Sequence, residues 1–204
     1  GDPSSAAFFT ALTLLTPAAH LKIKQVGLNS RRIGFYNILK KHGAKIKFKN
    51  IKIINHEEIG DIEVQSSKLK AINAGPDYYT SSTDEYPILF VIAALTKGTS
   101  IFQGIEDLAN KESNRIKEMK KILKQVGINC QSSKSKMKIF GAAEIKKTNA
   151  TIKVSNLGDH RICMSTVILS LATGIKAEIK NFETVGSSSP SFLKIIKSLG
   201  GKFE

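Results

Sequence analysis

Residues 110–115, NKESNR, crowd three charged side chains together just before an apolar pattern. The spacing of apolar residues over 116–123 is typical of an amphipathic helix, so Lys111, Glu112 and Arg115 are expected in its first turn. Cations are disfavoured there because the helix dipole is positive at that end. A bound anion would remove the conflict, since helix N-termini suit phosphate groups. The segment therefore predicts an anion site, and a surface Glu112–Arg115 ion pair of little energy is the alternative.

Two further predicted helix starts carry chemically useful side chains. Residues 158–165, GDHRICMS, put Asp159, His160 and Arg161 at the beginning of an apolar run, and Asp84 precedes another apolar run in STDEYPILF. If repeated units of the chain are related by rotation, these helix ends face one side and add Arg161 to the same anion site. Each residue also has a structural interpretation, Asp84 as a helix N-cap and His160 as a hydrogen-bonded core residue.

The composition indicates a globular protein with a strong positive charge. Of its 204 residues, 41% are hydrophobic and 24% charged, and the formal net charge is +14, which fits a folded chain with a real core. Lysines alternate with apolar residues in LKIKQV and AKIKFKNIKI, the pattern of strands with one solvated face. Aromatic residues do not interleave with arginines as a base-stacking surface requires, so we expect no nucleic-acid partner.

The cysteines and the apolar runs indicate where the protein resides. Cys130 and Cys163 lie far apart without metal-ligand spacing, so we expect reduced thiols in a cytoplasmic protein. The longest apolar run, YPILFVIAALT, is too short to span a bilayer, and no cationic leader precedes a cleavage site, so no membrane association is expected. No glycine-rich phosphate loop and no His/Cys cluster occurs, so the sequence predicts neither a cofactor nor a metal.

The chain repeats one pattern three times: an apolar helix, a short strand, a polar turn, a second helix closed by glycine, and further strands. The units cover roughly residues 1–70, 71–155 and 156–204. Their helix-closing glycines, each suited to the left-handed position after a helix, are Gly43, Gly127 and Gly200. Helices that alternate with strands predict an α/β domain in which sheets and helices share one core.

The second unit is longer than the other two between its strand and its second helix. The extra residues fall in EDLANKE, residues 106–112. A departure at the most charged point of a repeat indicates a candidate site, whereas length alone favours a tolerated surface insertion.

Five ordered segments resemble a known family. They are GDPSSAAFF, DEYPIL, KESNRI, GDHRICMS and SPSFLKIIKSLGGKFE. Together they resemble the C-terminal half of the 5-enolpyruvylshikimate-3-phosphate synthases, and DEYPIL resembles the bacterial class known for glyphosate-insensitive members. The resemblance implies that residues 1–204 form a single α/β domain of three βαβαββ repeats with helices packed inside sheets. The family's other, N-terminal domain and a short strand segment that completes this one are expected outside the sequence.

The resemblance also implies a reaction. Members transfer the enolpyruvyl (carboxyvinyl) group from phosphoenolpyruvate to the 5-hydroxyl of shikimate 3-phosphate and release phosphate, in the shikimate pathway to chorismate and the aromatic amino acids. They use no metal or organic cofactor. The expected partners are therefore the two substrates and the N-terminal domain of the same protein, in a cytoplasmic monomer. One half alone is expected to be inactive because the site takes ligands from both domains.

Four residues receive roles by motif match. Asp84 corresponds to an aspartate that contacts the shikimate hydroxyls and is assigned as base. Glu112 corresponds to the glutamate of the Lys-Glu pair, assigned as proton donor near the enolpyruvyl carbon. Lys111 corresponds to a residue that contacts shikimate phosphate or phosphoenolpyruvate, and Asp2 to the domain hinge.

The arginines receive roles in the same way, and two positions depart from the family. Arg115 and Arg161 correspond to arginines that clamp phosphoenolpyruvate, and His160 lies beside that clamp. Asn114 stands where the family's Lys-Glu-Ser-Asp-Arg has Asp, which weakens any pairing that held Arg115 through that carboxylate. Ser187 stands where many members carry a phosphate-binding lysine, and no role is carried over to it.

Two other functions are alternatives. The UDP-N-acetylglucosamine enolpyruvyl transferase of cell-wall synthesis shares the fold, although DHRICMS and KESNR argue against it. A non-enzymatic basic binding module is the other. NMR spectra recorded with shikimate 3-phosphate, UDP-N-acetylglucosamine and an oligonucleotide would separate the three.

Overall fold

A computed structural model of the chain describes residues 1–145, 150–155 and 157–202. The helices are α1 (Pro3–Leu15), α2 (Gly34–Lys41), α3 (Tyr79–Ser82), α4 (Tyr86–Ala94), α5 (Arg115–Gln125), α6 (His160–Thr173), α7 (Thr184–Ser188) and α8 (Phe192–Ser198). The strands are β1 (His20–Gly27), β2 (Lys45–Ile54), β3 (Glu57–Gln65), β4 (Asn73–Ala74), β5 (Gly98–Gln103), β6 (Asn129–Ser132), β7 (Lys136–Gly141), β8 (Ile152–Val154) and β9 (Ala177–Ile179). Short 3-10 helices occur at Pro76–Tyr78, Thr83–Glu85 and Glu106–Asn110.

Three helices form the centre of the molecule. Helices α1, α4 and α6 pack against one another, and every residue of α4 is buried. A helix that is apolar on all sides is expected only where other elements enclose it. Helices α2 and α5 are amphipathic instead, with apolar residues buried and most of their lysines exposed. No helix in the described part of the chain is long and apolar enough to cross a membrane.

The described strands form three sheets around these helices. In the first, β3 lies between β1 and β2 and is antiparallel to both; in the second, the order is β4-β5-β7-β6; in the third, β8 and β9 are parallel. Helix α1 contacts β1 and β3, α4 contacts β7, and α6 contacts β8 and β9. In β2, Lys45 and Lys47 are exposed on either side of buried Ile46. The prediction of an α/β fold with helices inside sheets and lysines on solvated strand faces is therefore confirmed.

The repeated pattern is visible in the order of elements. The run α1-β1-α2-β2-β3 recurs as α4-β5-α5-β6-β7. In the third unit α7 and α8 share the place of the second helix, and the end of the chain, where the pattern predicts further strands, falls partly on residues 203–204, outside the described ranges. The glycines after the second helices, Gly43, Gly127 and Gly200, have φ of 101°, 82° and 94°, as predicted for the position that follows a helix. The unit boundaries stay a prediction.

Candidate active site

The helix expected from NKESNR begins at Arg115, later than the sequence predicts. Asn114 is its N-cap, and the Asn114 side-chain oxygen accepts a hydrogen bond from the Lys117 N–H at 2.9 Å. Asn caps a helix well because its oxygen pairs with an N–H that has no acceptor within the helix. Lys111 and Glu112 lie in the preceding turn, so the prediction that they occupy the first helical turn is wrong.

Arg115 is buried, with 1% of its side chain exposed, and contacts three carboxylates. Its Nε donates to Asp159 Oδ2 at 3.0 Å, and its Nη2 to Asp159 Oδ1 at 3.4 Å. The same Nη2 donates to Glu112 Oε2 at 2.6 Å, and Nη1 lies 3.6 Å from Asp84 Oδ1. The Glu112–Arg115 pair therefore exists, but its arginine is a buried group and not a surface one. Asn114 stands where the family has Asp, but Arg115 still has a carboxylate partner, because Asp159 takes this role.

Asp159 is the buried anchor of this cluster. It is the N-cap of α6 and accepts from the backbone N–H groups of Arg161 at 3.0 Å and Ile162 at 3.4 Å, and from the Ser113 hydroxyl at 2.9 Å. Burial raises the pKa of Asp159, but the hydrogen bond and charge of Arg115, with those of Ser113 and Ile162, outweigh burial and lower it below 3.8. The ionised carboxylate thus stabilises the fold at neutral pH, and this contribution is lost as the pH falls below the ordinary Asp value.

Asp84 lies where the sequence predicts a helix N-cap, but it caps no helix. The chain is already helical at Thr83–Glu85, and α4 follows directly at Tyr86. The Asp84 carboxylate instead contacts two arginines: Oδ2 accepts from Arg161 Nη2 at 3.2 Å, and Oδ1 lies 3.6 Å from Arg115 Nη1. The N-cap prediction is wrong, and the fold brings Asp84 and both arginines together.

The carboxylates around the two arginines differ in exposure. Asp159 is fully buried, whereas the side chains of Asp84 and Glu112 are 45% and 46% exposed. Ion pairs with exposed partners are weak because water screens them, whereas breaking a buried pair is costly. Arg115 Nη1 and Arg161 Nε are moreover buried donors without a hydrogen-bond acceptor among the described residues. An incoming anion can exchange with the exposed carboxylates and supply these acceptors while Asp159 keeps Arg115 in place.

His160 and Lys111 border the cluster. His160 is the first residue of α6. The pKa of His160 is lowered, by burial first and then by the Arg161 charge, against the opposing effect of Glu112 and Asp159. Lys111 Nζ lies 2.7 Å from Asp107 Oδ2. Among the described ion pairs, Glu112 contacts Arg115 and not Lys111.

Two positions noted for the family have local partners of their own. Asp2 caps α1, accepts from the Ser5 N–H at 2.8 Å and pairs with Arg32 at 2.8 Å. The Ser187 hydroxyl donates to the Thr184 carbonyl at 2.9 Å within α7, and Ser187 is exposed. The hinge role of Asp2 stays a prediction.

Glu85, next to Asp84, is a buried acid that the sequence does not single out. The residue is 3% exposed, and its Oε1 has no hydrogen-bond partner within the described ranges. Burial raises the pKa of Glu85 to about 7, with Ser4 and Arg161 lowering it and Asp84 and Asp2 raising it. A buried carboxyl beside the candidate site therefore titrates near neutral pH.

We expect Glu85→Gln to remove a pH-dependent loss of stability. Folding raises the pKa of Glu85 from 4.5 to about 7, so the folded state binds this proton more tightly than the unfolded state. The folded state therefore loses stability as the pH rises through this window. Between pH 5 and 8 the wild type should lose about 2–3 kcal/mol of unfolding free energy that the variant keeps. Urea unfolding at both pH values measures this loss, with exposed Glu58→Gln as control. Equal pH dependence in wild type and Glu85→Gln would contradict the prediction.

The chain matches curated enzymes along its length. Residues 1–196 match the family EPSP synthase (3-phosphoshikimate 1-carboxyvinyltransferase). The chain is 36% identical over 206 residues to the 3-phosphoshikimate 1-carboxyvinyltransferase of Zymomonas mobilis, covering 100% of this chain and 46% of that protein. It is 38% identical over 199 residues to the enzyme of the same name from Petrotoga mobilis, covering 98% of this chain and 45% of that protein. The chain thus spans about half the length of the curated relatives it matches.

Solved structures show the same fold. EPSP synthase from Acinetobacter baumannii superposes with a TM-score of 0.90 at 34% identity, covering 97% of this chain and 45% of that one. The enolpyruvyl transferase NikO from Streptomyces tendae superposes with a TM-score of 0.67 at 10% identity, over 98% of this chain and 43% of that one, a likeness of fold alone. The central helices lie inside sheets, and Arg115 and Arg161 both contact Asp84. Because residues 1–196 also match the family model, the chain belongs to the EPSP synthase family.

Proposed function

We propose that this chain supplies half of the active site of a 3-phosphoshikimate 1-carboxyvinyltransferase. In this reaction the 5-hydroxyl oxygen of shikimate 3-phosphate bonds to C2 of phosphoenolpyruvate. The hydroxyl proton goes to a base, and the methylene carbon gains a proton from an acid. The tetrahedral adduct then loses a proton from the new methyl group as the bond from C2 to the phosphate oxygen breaks, leaving the enolpyruvyl ether and inorganic phosphate. The reaction needs an acid, a base, and cations for two phosphates and a carboxylate.

The observation that carries the proposal is the arrangement around Asp84. Two guanidinium groups, those of Arg115 and Arg161, contact one half-exposed carboxylate. Each also keeps a buried N–H donor without an acceptor among the described residues. Guanidinium groups bind carboxylate and phosphate through paired N–H donors, so these two groups suit phosphoenolpyruvate, which carries both.

The proposed base and acid contact different nitrogens of Arg115: Asp84 lies near Nη1, and Glu112 accepts from Nη2. Once a substrate anion takes the arginines, Asp84 is freed to accept a proton from the shikimate hydroxyl. Glu112, held by Arg115 at 2.6 Å, is the proposed proton donor to the methylene carbon. Lys111 and His160 at the border are proposed to contact substrate phosphate.

The rest of the site is proposed to come from the other half of a longer protein. The chain covers 46% of its Zymomonas relative, and closure of two halves would bring the substrates together and exclude water. We propose a monomer that uses no metal or organic cofactor. Unpaired thiols at Cys130 and Cys163 support a cytoplasmic location. The UDP-N-acetylglucosamine enolpyruvyl transferase alternative is less supported, because the curated relatives carry the shikimate name.

Phosphate release by the purified full-length protein tests the proposal. Shikimate 3-phosphate with phosphoenolpyruvate should give turnover, UDP-N-acetylglucosamine with phosphoenolpyruvate should give none, and the 204-residue chain should be inactive with either pair. No release by the full-length protein would overturn the function. Release by the 204-residue chain would overturn the half-site.

Arg161→Lys in the full-length protein should lower kcat/KM by about 30-fold, equivalent to about 2 kcal/mol. Lysine keeps the charge but loses the planar pair of donors that grips a carboxylate or phosphate. Steady-state kinetics with phosphoenolpyruvate as the varied substrate measures the loss, and exposed Arg31→Lys is the matched control. Near-normal kinetics in Arg161→Lys would mean that Arg161 does not bind substrate and that its contact with Asp84 is only structural.

A further inference from the structure

The longer segment of the second repeat unit folds as an anchored turn. Residues Glu106–Asn110 form a 3-10 helix, and Leu108 within it is fully buried. The neighbouring Asp107 side chain is 52% exposed. The apolar residue fixes the turn to the core, so the carboxylate beside it is held at a defined place on the surface.

Asp107 joins two separate parts of the chain. Its Oδ2 lies 2.7 Å from Lys111 Nζ and also accepts a hydrogen bond from the Tyr79 hydroxyl at 2.9 Å. The hydrogen bond with Lys111, and then that with Tyr79, lower the pKa of Asp107, so the carboxylate is ionised at neutral pH. The Tyr79 ring packs against Tyr86 with centroids 5.6 Å apart, and Tyr86 is fully buried.

These contacts tie Lys111 to the segment that carries Asp84. Tyr79 begins α3, and the helical run continues through Thr83–Glu85 into α4. The Asp107–Tyr79 hydrogen bond therefore fixes the Lys111 ammonium relative to the Asp84 region. An ammonium has three N–H donors, so two stay available for a ligand after one is given to Asp107. A lysine held in this way has less rotamer entropy to lose when it binds an anion.

We propose that Asp107 and Tyr79 are positioning residues that hold Lys111 ready to bind a substrate phosphate. The inference rests on the proposed function, and it gives the longer segment a role in that site. Two other roles of the Asp107–Lys111 contact would give different results. An exposed salt bridge without function would leave ligand binding unchanged. A carboxylate that competes with the substrate for Lys111 would make binding tighter when removed.

Calorimetric titration of the full-length protein with shikimate 3-phosphate and with phosphoenolpyruvate tests this. Lys111→Met should weaken one of the two ligands and so identify the one that Lys111 holds. Asp107→Asn should raise the Kd of that same ligand by about 3- to 10-fold, with kcat changed by no more than about twofold. Tyr79→Phe should act in the same direction, and adding it to Asp107→Asn should have little further effect because Tyr79 acts through Asp107.

A Lys111→Met background separates positioning from a general loosening of the turn. There Asp107→Asn should have no further effect on Kd, whereas a loosened turn would still weaken binding. Glu63→Gln, which removes the Lys49–Glu63 pair at 2.8 Å, is the control for losing an ion pair elsewhere. If Lys111→Met weakens binding but Asp107→Asn leaves Kd unchanged or lowers it, the inference fails and the proposed function stands. Absence of turnover in the wild type would overturn the proposed function.

Discussion

Glu112→Gln in the full-length protein should cut turnover by about a hundredfold or more and change substrate dissociation constants by less than about tenfold. Glutamine can still accept a hydrogen bond from Arg115, but it cannot give a proton to the methylene carbon of phosphoenolpyruvate. The ion pair that is lost joins buried Arg115 to a side chain that is 46% exposed. Water already screens such a partner, so its loss changes ground-state binding little. The expected effect therefore falls on the chemical step.

Phosphate-release kinetics and equilibrium binding must be measured on the same Glu112→Gln preparation. Glu118→Gln is the control, because Glu118 pairs with Lys121 at 2.8 Å on helix α5, outside the cluster. A raised KM with normal kcat would make Glu112 a binding residue and not the acid. Wild-type turnover would remove it from the mechanism.

The sequence predicts the fold well where one local property decides the structure. Helices alternating with strands predicted one core shared by helices and sheets, and the structure buries all nine residues of α4. Gly43 and Gly127 marked helix ends because an L side chain is strained at their positive φ of 101° and 82°. Such features need only neighbouring residues, so they can be read without knowing what packs against them.

The site is harder to predict because its contacts join distant positions. Asp159 could be recognised as a residue at a helix start, but its pair with Arg115 joins residues 44 positions apart. Asp84 was expected as a cap because caps are the common local role of Asp, and its contact with Arg161 joins residues 77 positions apart. The start of helix α5 depends on which polar residue caps it, and that residue is Asn114. Local chemistry singled out Asp84, Arg115 and Arg161, and the resemblance to the family assigned them roles, but neither predicted that Asp159 pairs with Arg115.

Asp159→Ala should lower the unfolding free energy of the chain by about 3–5 kcal/mol. Arg115 cannot lose its proton, so without Asp159 a buried guanidinium would keep only the half-exposed carboxylates of Glu112 and Asp84. Asp159 also accepts hydrogen bonds from two backbone N–H groups at the start of α6. Loss of such a cap accounts for about 1 kcal/mol of the total.

Two further variants separate the charge of Asp159 from its capping role. Asp159→Asn keeps an oxygen that can cap α6, so its loss of stability should be smaller than that of Asp159→Ala by about 1 kcal/mol. The double variant Asp159→Asn with Arg115→Met leaves neither charge unpaired, so it should lose less than the sum of the two single variants. Urea unfolding gives all four values. A loss below about 1 kcal/mol for Asp159→Ala, as for an exposed ion pair, would mean that water already screens Arg115. Asp159 would then not be the anchor that holds Arg115 while substrate replaces Asp84 and Glu112.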